Sequence, residues 1–166
     1  MNLTSKIYSY IKITRPINVI ITFSVVVVAI LISQTESTDF YVILFASIAA
    51  ALVTAAGNIV NDIFDIDTDK ISHQDRVLVL GKISKKESWI EYLLLNGISF
   101  IISVSLSIKL MLIALNTLIF LYVYSSTLKK LPLIGNLTIA FLFFFSFIYG
   151  GLVVGNSMSA IVPVVF

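Results

Sequence analysis

The chain has 166 residues, of which 58% are hydrophobic and 12% charged, with a mean hydropathy of +1.04 and no cysteine. Soluble domains carry roughly 25% charged residues, so this composition excludes a water-soluble globule and a disordered tail. The lack of cysteine excludes a disulfide scaffold, a zinc–thiolate site and a cysteine nucleophile. A net charge of +2 gives no reason to expect nucleic acid as a partner. An all-α polytopic membrane protein remains.

Uncharged intervals of 17 to 22 residues define the first four predicted membrane helices, and no charged side chain occurs in residues 131–166. A membrane helix needs roughly 17–25 mainly apolar residues. Ser84 and Glu87 have the spacing of a capping box, which indicates where the third helix begins. We therefore predict helices near residues 17–33, 40–60, 90–108, 110–128 and 133–154. The apolar run 160–166 is too short to span a bilayer, and we expect it to be the start of a sixth helix.

The basic residues predict the orientation of these helices. If the N-terminus is cytoplasmic, ten of the eleven Lys and Arg residues lie inside, and Lys109 lies outside. This bias satisfies the positive-inside rule. We therefore expect a multi-pass protein of the cell membrane, with the N-terminus and the loop after the second helix on the cytoplasmic side.

An acidic segment follows the second predicted span. Asn61, Asp65 and Asp69 are spaced at i, i+4 and i+8, so a helix would place them on one face, and Asp62 would border that face. Asp is a poor helix former and like charges repel, so we expect a cation there. Oxygen-only ligands suit Mg²⁺, which often binds through one or two carboxylates together with phosphate oxygens.

Three other interpretations of this acidic segment compete. A solvated acidic loop without a site is common for charge runs, although its position beside a membrane helix and its four-residue spacing argue against it. A calcium loop starting at Asp65 fails because Lys70 stands where Gly is needed and Arg76 where Glu is needed. An ion pathway would favour carboxylates deeper in the bilayer.

Basic residues surround the acidic segment in the predicted topology. Acidic residues that hold Mg²⁺ and basic residues that neutralise phosphate are together what a diphosphate ligand needs. A diphosphate cannot bind to bare carboxylates, because a metal must bridge them and Arg or Lys must neutralise the remaining charge. Many of these basic residues could instead serve only to fix the topology. The set comprises Arg15, Lys70, Arg76, Lys82, Lys85, Lys86, Lys129 and Lys130.

Taken together, these residues resemble the UbiA superfamily of membrane prenyltransferases. The resemblance covers essentially the whole chain and includes the Asn-Asp-x-x-Asp-x-x-x-Asp signature at residues 61–69. Its other parts are residues 15–18, 75–76, 81–84, 124–129 and 132–136. Three segments look most like the branch that builds ether lipids, whose namesake activity is geranylgeranylglycerol-phosphate geranylgeranyltransferase. They are residues 128–136, 149–151 and 155–156.

The resemblance implies a mechanism and a set of site residues. Mg²⁺ would hold the diphosphate of a polyprenyl donor, the allylic C–O bond would ionise, and the hydroxyl of a lipid acceptor would attack. The isoprenoid tail would lie among the helices, in contact with membrane lipid. The implied metal ligands are Asn61, Asp62, Asp65 and Asp69. Lys129 and Tyr124 would join Asp65 and Asp69 as catalytic residues, and the diphosphate would be bound by Asn61, Arg76, Lys129 and Arg15.

The sequence departs from the family pattern at several points. The loop at residues 72–81 lacks the family's prolines, and Tyr124 and Lys129 are five residues apart where the family has four. The family has nine membrane helices and a second Asp-rich motif after the sixth, which this sequence does not reach. We therefore expect residues 1–166 to be a single membrane domain, the N-terminal part of such an enzyme. A truncated frame, or half of a split enzyme with a complementing C-terminal half, would look the same.

Two alternatives to lipid prenylation stay open at this point. The acceptor could be aromatic, as in quinone or haem synthesis by relatives. The chain could also be a non-catalytic membrane remnant or subunit.

Overall fold

The computed structural model of the chain describes residues 2–34, 37–130 and 134–155. Within these ranges the chain forms helices and no strand, which confirms the predicted all-α class. The α-helices are α1 (Leu3–Ile13), α2 (Pro16–Ser33), α3 (Phe40–Ser72), α4 (Lys85–Leu106), α5 (Ile108–Ser126) and α6 (Ile134–Val153). A 3₁₀ turn at Leu128–Lys130 follows α5.

Helices α2 to α5 are each long and apolar enough to cross a membrane, so the predicted multi-pass membrane protein is confirmed. Helix α6, with 20 residues, is a further apolar helix at the position of the fifth predicted span. The third span begins at Lys85 rather than near residue 90, because Ser84 and Glu87 form the predicted capping box. The predicted start of a sixth helix lies outside the described residues.

Helix α3 is much longer than the span predicted at residues 40–60. Its 33 residues correspond to about 50 Å, whereas the hydrocarbon core of a bilayer is about 30 Å thick. The helix therefore continues through the acidic segment and ends only where the His73 N–H donates to the carbonyl of Asp69 at 2.8 Å. The acidic segment is helical, as its spacing predicted.

Helix α1 was not predicted. It begins with Asn2, whose side chain accepts from the Ser5 N–H at 2.9 Å. It is tied to the start of α4 by two contacts with the carboxylate of Glu87, since Lys6 Nζ lies 2.5 Å away and the Tyr10 hydroxyl donates at 3.3 Å. The Glu87 carboxylate raises the pKa of Lys6 above its ordinary value. Helix α1 thereby marks one end of the bundle, which we call the α1 end.

An apolar cluster at the α1 end fixes the loop between α3 and α4. Val77 and Ile83 of this loop are buried against the end of α1 and one face of α3. Because these side chains are removed from water, the loop is held in one position beside the last turns of α3. The cluster consists of Ile13, Ile59, Ile63, Val77 and Ile83.

Helices α2, α3, α5 and α6 approach one another closely at glycines. A Cβ on Gly150 of α6 would lie 2.5 Å from the Cβ of Ala29 on α2, and one on Gly57 of α3 would lie 2.9 Å from Leu121 Cδ1 on α5. Small residues allow such contacts between membrane helices. The contact at Gly57 lies one turn before Asn61, so it holds the polar ends of α3 and α5 close together.

Candidate active site

Asp62 is the most buried carboxylate of the acidic segment, and it is shared by two guanidinium groups. Its side chain is 3% exposed and forms an ion pair with Arg15 Nη2. Arg76 Nη1 lies 3.0 Å from its Oδ1 and 3.4 Å from its Oδ2. A buried carboxylate needs such partners, because an unpaired charge away from water is costly. Asp62 thus joins the α1–α2 corner to the α3–α4 loop.

The backbone at Arg15 directs its side chain toward α3. Arg15 has φ 53° and ψ 73°, the left-handed conformation, and Pro16 immediately begins α2. Non-glycine residues adopt this conformation rarely and at some cost in strain. The corner is held by Asn58, whose Nδ2 donates to the carbonyl of Thr14 at 2.8 Å. Asn58 therefore positions the corner that carries Arg15.

Asn61 and Asp65 of α3 form a second polar group with Lys129 of the turn after α5. Asn61 Nδ2 donates to Asp65 Oδ2 at 2.9 Å, and Lys129 Nζ lies 2.5 Å from Asp65 Oδ1. Both members of the ion pair are largely buried, with side-chain exposures of 15% for Lys129 and 22% for Asp65. The 3₁₀ turn after α5 thereby brings a basic residue to the acidic face of α3.

Asp69 lies one turn beyond Asp65 and is also buried, with 7% exposure. His73 Nδ1 lies 3.3 Å from its Oδ1. Asp67, on another side of the helix, is paired with Lys70 at 2.7 Å near the solvent. In the described part of the chain, no three acidic or imidazole side chains converge as a ready metal site.

A cavity of about 500 Å³, which we call the membrane cavity, opens beside this polar group. Apolar side chains such as Ile21, Leu121 and Leu142 form part of its wall between the helices. Toward the α1 end it is lined by polar side chains, so it joins an apolar chamber to a polar mouth. These polar residues are Arg15, Asn18, Asn58, Asn61, Tyr124 and Ser125.

The structure thus divides the predicted site residues into two neighbouring groups. Asn61 and Tyr124 line the membrane cavity, and Asp65 and Lys129 are joined to Asn61. Asp62 and Arg76 lie together in a separate pocket that Arg15 also lines, so Arg15 is common to both pockets.

Sequence reasoning missed two residues of this site. Asn58 precedes Asn61 by three residues and lies on the same helix face, so its position in a polar stripe was a usable signal. Lys12 lines the pocket of Asp62 and Arg76. It was counted only as a topogenic charge, because nothing in the sequence shows that α1 folds back onto the loop.

Comparison with known proteins identifies the family of the chain. The sequence model of the UbiA prenyltransferase family matches residues 22–166. The chain belongs to this family. Among curated UbiA relatives, the digeranylgeranylglyceryl phosphate synthase of Methanothermobacter thermautotrophicus is 33% identical over 152 residues, covering 92% of this chain and 53% of the relative. The synthase of Methanoregula boonei is 36% identical over 148 residues, covering 88% of this chain and 52% of the relative. The chain spans about half the length of the curated relatives it matches.

Solved structures show the same UbiA fold. A structure from work on digeranylgeranylglyceryl phosphate synthase in membranes superposes with a TM-score of 0.90 at 31% identity, covering 96% of this chain and 57% of that one. A UbiA homolog from Archaeoglobus fulgidus bound to DMAPP and Mg²⁺ superposes with a TM-score of 0.77 at 23% identity, covering 89% of this chain and 54% of that one. The resemblance to the UbiA superfamily, and to its ether-lipid branch, is therefore confirmed.

Proposed function

We propose that this chain is the N-terminal part of a Mg²⁺-dependent prenyltransferase that moves a geranylgeranyl group from its diphosphate to the hydroxyl of a lipid acceptor. The observation that carries the proposal is the junction of the Asn61–Asp65–Lys129 group with the polar mouth of the membrane cavity. A prenyl diphosphate has the same two-part chemistry, since a charged head is attached to a long apolar tail. The names of the relatives supply the choice of prenyl group and acceptor class.

The residues present fit a magnesium ion held jointly with phosphate oxygens. Asn61, Asp65 and Asp69 offer oxygen donors on successive turns of one helix face, and Mg²⁺ commonly takes only one or two carboxylates from a protein. When bound, the ion would supply charge neutralisation to the leaving diphosphate. Asp62 already has two arginine partners, so the proposal assigns it no direct place among the ligands.

The chain's own residues act on the two parts of the donor. Lys129 would turn from Asp65 toward the phosphate oxygens, and Arg15 at the mouth of the membrane cavity would add a guanidinium, which forms strong charge-assisted hydrogen bonds to phosphate. Tyr124 lines the same mouth, and its hydroxyl would donate to the leaving group. The apolar wall would hold the tail and keep water from the reactive carbon.

Binding of geranylgeranyl diphosphate by the purified chain in lipid nanodiscs tests the site. We expect Mg²⁺-dependent binding in the unaltered chain and its loss in the Asp65→Ala/Asp69→Ala double variant, because two of the oxygen donors are removed. Asp67→Ala, at an exposed position of the same helix, is the matched control and should bind normally. Normal binding by the double variant would contradict the site assignment.

Transfer itself is tested by co-expression with a C-terminal half that contains a second Asp-rich motif, taken from a UbiA relative. We expect radiolabelled geranylgeranyl to appear on geranylgeranylglyceryl phosphate. An aromatic acceptor such as 4-hydroxybenzoate should remain unlabelled. No transfer by a well-folded pair would favour the non-catalytic alternative.

A further inference from the structure

A second pocket, of about 230 Å³, lies at the α1 end, and we call it the Arg76 pocket. It is formed where the end of α1 and the α1–α2 corner meet the α3–α4 loop. Its volume is several times the roughly 30 Å³ that one water molecule occupies in the liquid. Its charged or titratable lining residues are Lys12, Arg15, Asp62, His73, Asp75 and Arg76.

The cations of this pocket converge from different parts of the fold. Lys12 comes from the last turn of α1, Arg15 from the corner and Arg76 from the loop. Lys12 Nζ lies 3.4 Å from the carbonyl oxygen of Asp75, which holds its ammonium over the loop. Because separate elements are packed to bring three cations together, the pocket is suited to an anion.

Arg15 has unused hydrogen-bonding capacity beside the Arg76 pocket. Its Nη2 pairs with Asp62, but its Nε is buried and has no hydrogen-bond partner among the described residues. A buried charged donor without an acceptor is costly, so such a group usually has a partner in the working state. Arg15 also lines the membrane cavity, so an anion in the Arg76 pocket would lie next to the proposed donor site.

We propose that the Arg76 pocket is a second anion subsite, which binds the phosphate monoester of the acceptor lipid. This inference rests on the proposed function, in which the donor diphosphate occupies the Asn61–Asp65–Lys129 group. A reaction between a prenyl diphosphate and a lipid phosphate brings two anionic head groups together, and basic side chains lie at both places. Lys129 lies beside Asp65, and Lys12 and Arg76 line the Arg76 pocket. The acceptor phosphate at the Arg76 pocket would direct the attached glycerol hydroxyl past Arg15 toward the polar mouth of the membrane cavity.

The charge of the Arg76 pocket agrees with such a ligand. Asp62 is shared by Arg15 and Arg76, which leaves one positive charge on these three side chains. Lys12 adds a second, the exposed carboxylate of Asp75 offsets one of them, and His73 is paired with the Asp69 carboxylate just outside the lining. A net charge of about +1 favours a phosphate monoester over a neutral headgroup.

Binding measurements in phosphatidylcholine nanodiscs test this subsite. The probes are geranylgeranylglyceryl phosphate, its dephosphorylated alcohol and sn-glycerol 1-phosphate. We expect the unaltered chain to prefer the phosphate lipid to the alcohol, and Lys12→Gln and Arg76→Gln each to weaken phosphate-lipid binding roughly tenfold, as for one charged hydrogen bond. Lys86→Gln, which removes an equal charge at an exposed position early in α4, should have no effect.

A parallel titration with geranylgeranyl diphosphate and Mg²⁺ separates the two proposals. Lys12→Gln should leave diphosphate binding unchanged. Because Lys12 does not touch Asp62, this variant keeps the test valid if Arg76→Gln fails to fold. Equal losses of phosphate-lipid and diphosphate binding in Lys12→Gln would overturn the second subsite. The second subsite would also be overturned if neither variant weakened phosphate-lipid binding, or if the unaltered chain did not bind the phosphate lipid.

Other outcomes separate the subsite from the proposed function and identify the source of the phosphate. Phosphate-lipid binding without any diphosphate binding would refute the donor site alone and leave the Arg76 pocket standing. Sensitivity of sn-glycerol 1-phosphate binding to the same variants would support the subsite and show that it also accepts a soluble phosphate.

Discussion

Neighbouring carboxylates of the acidic segment lie in very different surroundings. Asp62 is 3% exposed and shared by two arginines, Asp65 is paired with Lys129, and the side chain of Asp67 is 93% exposed. They occupy one continuous helix, so the difference arises from the packing around it. The free-energy cost of losing each carboxylate should differ accordingly, because a buried charge left without its partner is far costlier than an exposed one.

Asp62→Asn should destabilise the protein by about 1–3 kcal/mol, since it leaves two partly buried guanidinium groups at the α1 end without their carboxylate. The measurement is the melting temperature in detergent, with tryptophan fluorescence as the signal for unfolding. Asp67→Asn, the matched control, should melt at the temperature of the unaltered chain. Equal melting temperatures for both variants would mean that Asp62 does not join the corner to the loop.

At the scale of helices, glycine decides how closely α2 and α6 pack. A Cβ at Gly150 would lie 2.5 Å from Ala29 Cβ and 3.0 Å from backbone atoms of Ala29 and Ile30, whereas one at Gly97 of α4 would meet nothing within 4 Å. The backbone atoms cannot turn away as a flexible side chain could, so the helices would have to separate.

Gly150→Ala should therefore lower the melting temperature, with a destabilisation of about 1–3 kcal/mol or more. Gly97→Ala makes the same chemical change without a clash, and should leave stability unchanged or raise it by up to about 1 kcal/mol through helix propensity. If Gly150→Ala were as stable as Gly97→Ala, the close contact of α2 and α6 would be wrong.

The helices show which parts of the fold can be predicted from the sequence. Spans α2 to α5 were predictable because a bilayer demands long uncharged segments that satisfy their own backbone hydrogen bonds. The capping box at Ser84 and the acidic face of α3 were predictable from local spacing alone. Helix α1 was missed because its charged residues interrupt every apolar run and its stability comes from contacts with Glu87, far along the chain.

The site could be predicted only in part, because it also depends on contacts between residues far apart in the sequence. The signature gave the residue types, but the partners of Asp62 are 47 residues before it and 14 after it, and no local pattern reports such pairings. The left-handed corner at Arg15 was equally hidden, because it depends on the hydrogen bond from Asn58 to Thr14. Tertiary packing, rather than composition, divided the predicted site residues between two pockets.

At the scale of the whole molecule, the distribution of charge predicts the orientation in the membrane. The α1 end carries α1, the corner before α2, the end of α3, the α3–α4 loop, the start of α4 and the turn after α5. Together these segments hold ten of the eleven Lys and Arg residues. The link between α2 and α3 and the link at Ser107 lie at the other end. The positive-inside rule therefore predicts that the α1 end lies in the cytoplasm.

The absence of native cysteine makes this orientation easy to test. Ser37→Cys in the α2–α3 link and Gln74→Cys in the α3–α4 loop each introduce one exposed thiol. In intact cells, a membrane-impermeant maleimide should label the first variant and not the second, and permeabilisation should make both reactive. The reverse labelling pattern would refute the cytoplasmic placement of the N-terminus.

The projection of α3 beyond the bilayer affects how the proposed reaction would end. With the apolar first part of α3 spanning the hydrocarbon core, about 20 Å of this helix, including its last two carboxylates, would extend past it. In the proposed reaction, pyrophosphate would be released toward water at this end, while the prenylated lipid would stay in the bilayer and leave sideways. The two products would leave along perpendicular routes, so neither would obstruct the exit of the other.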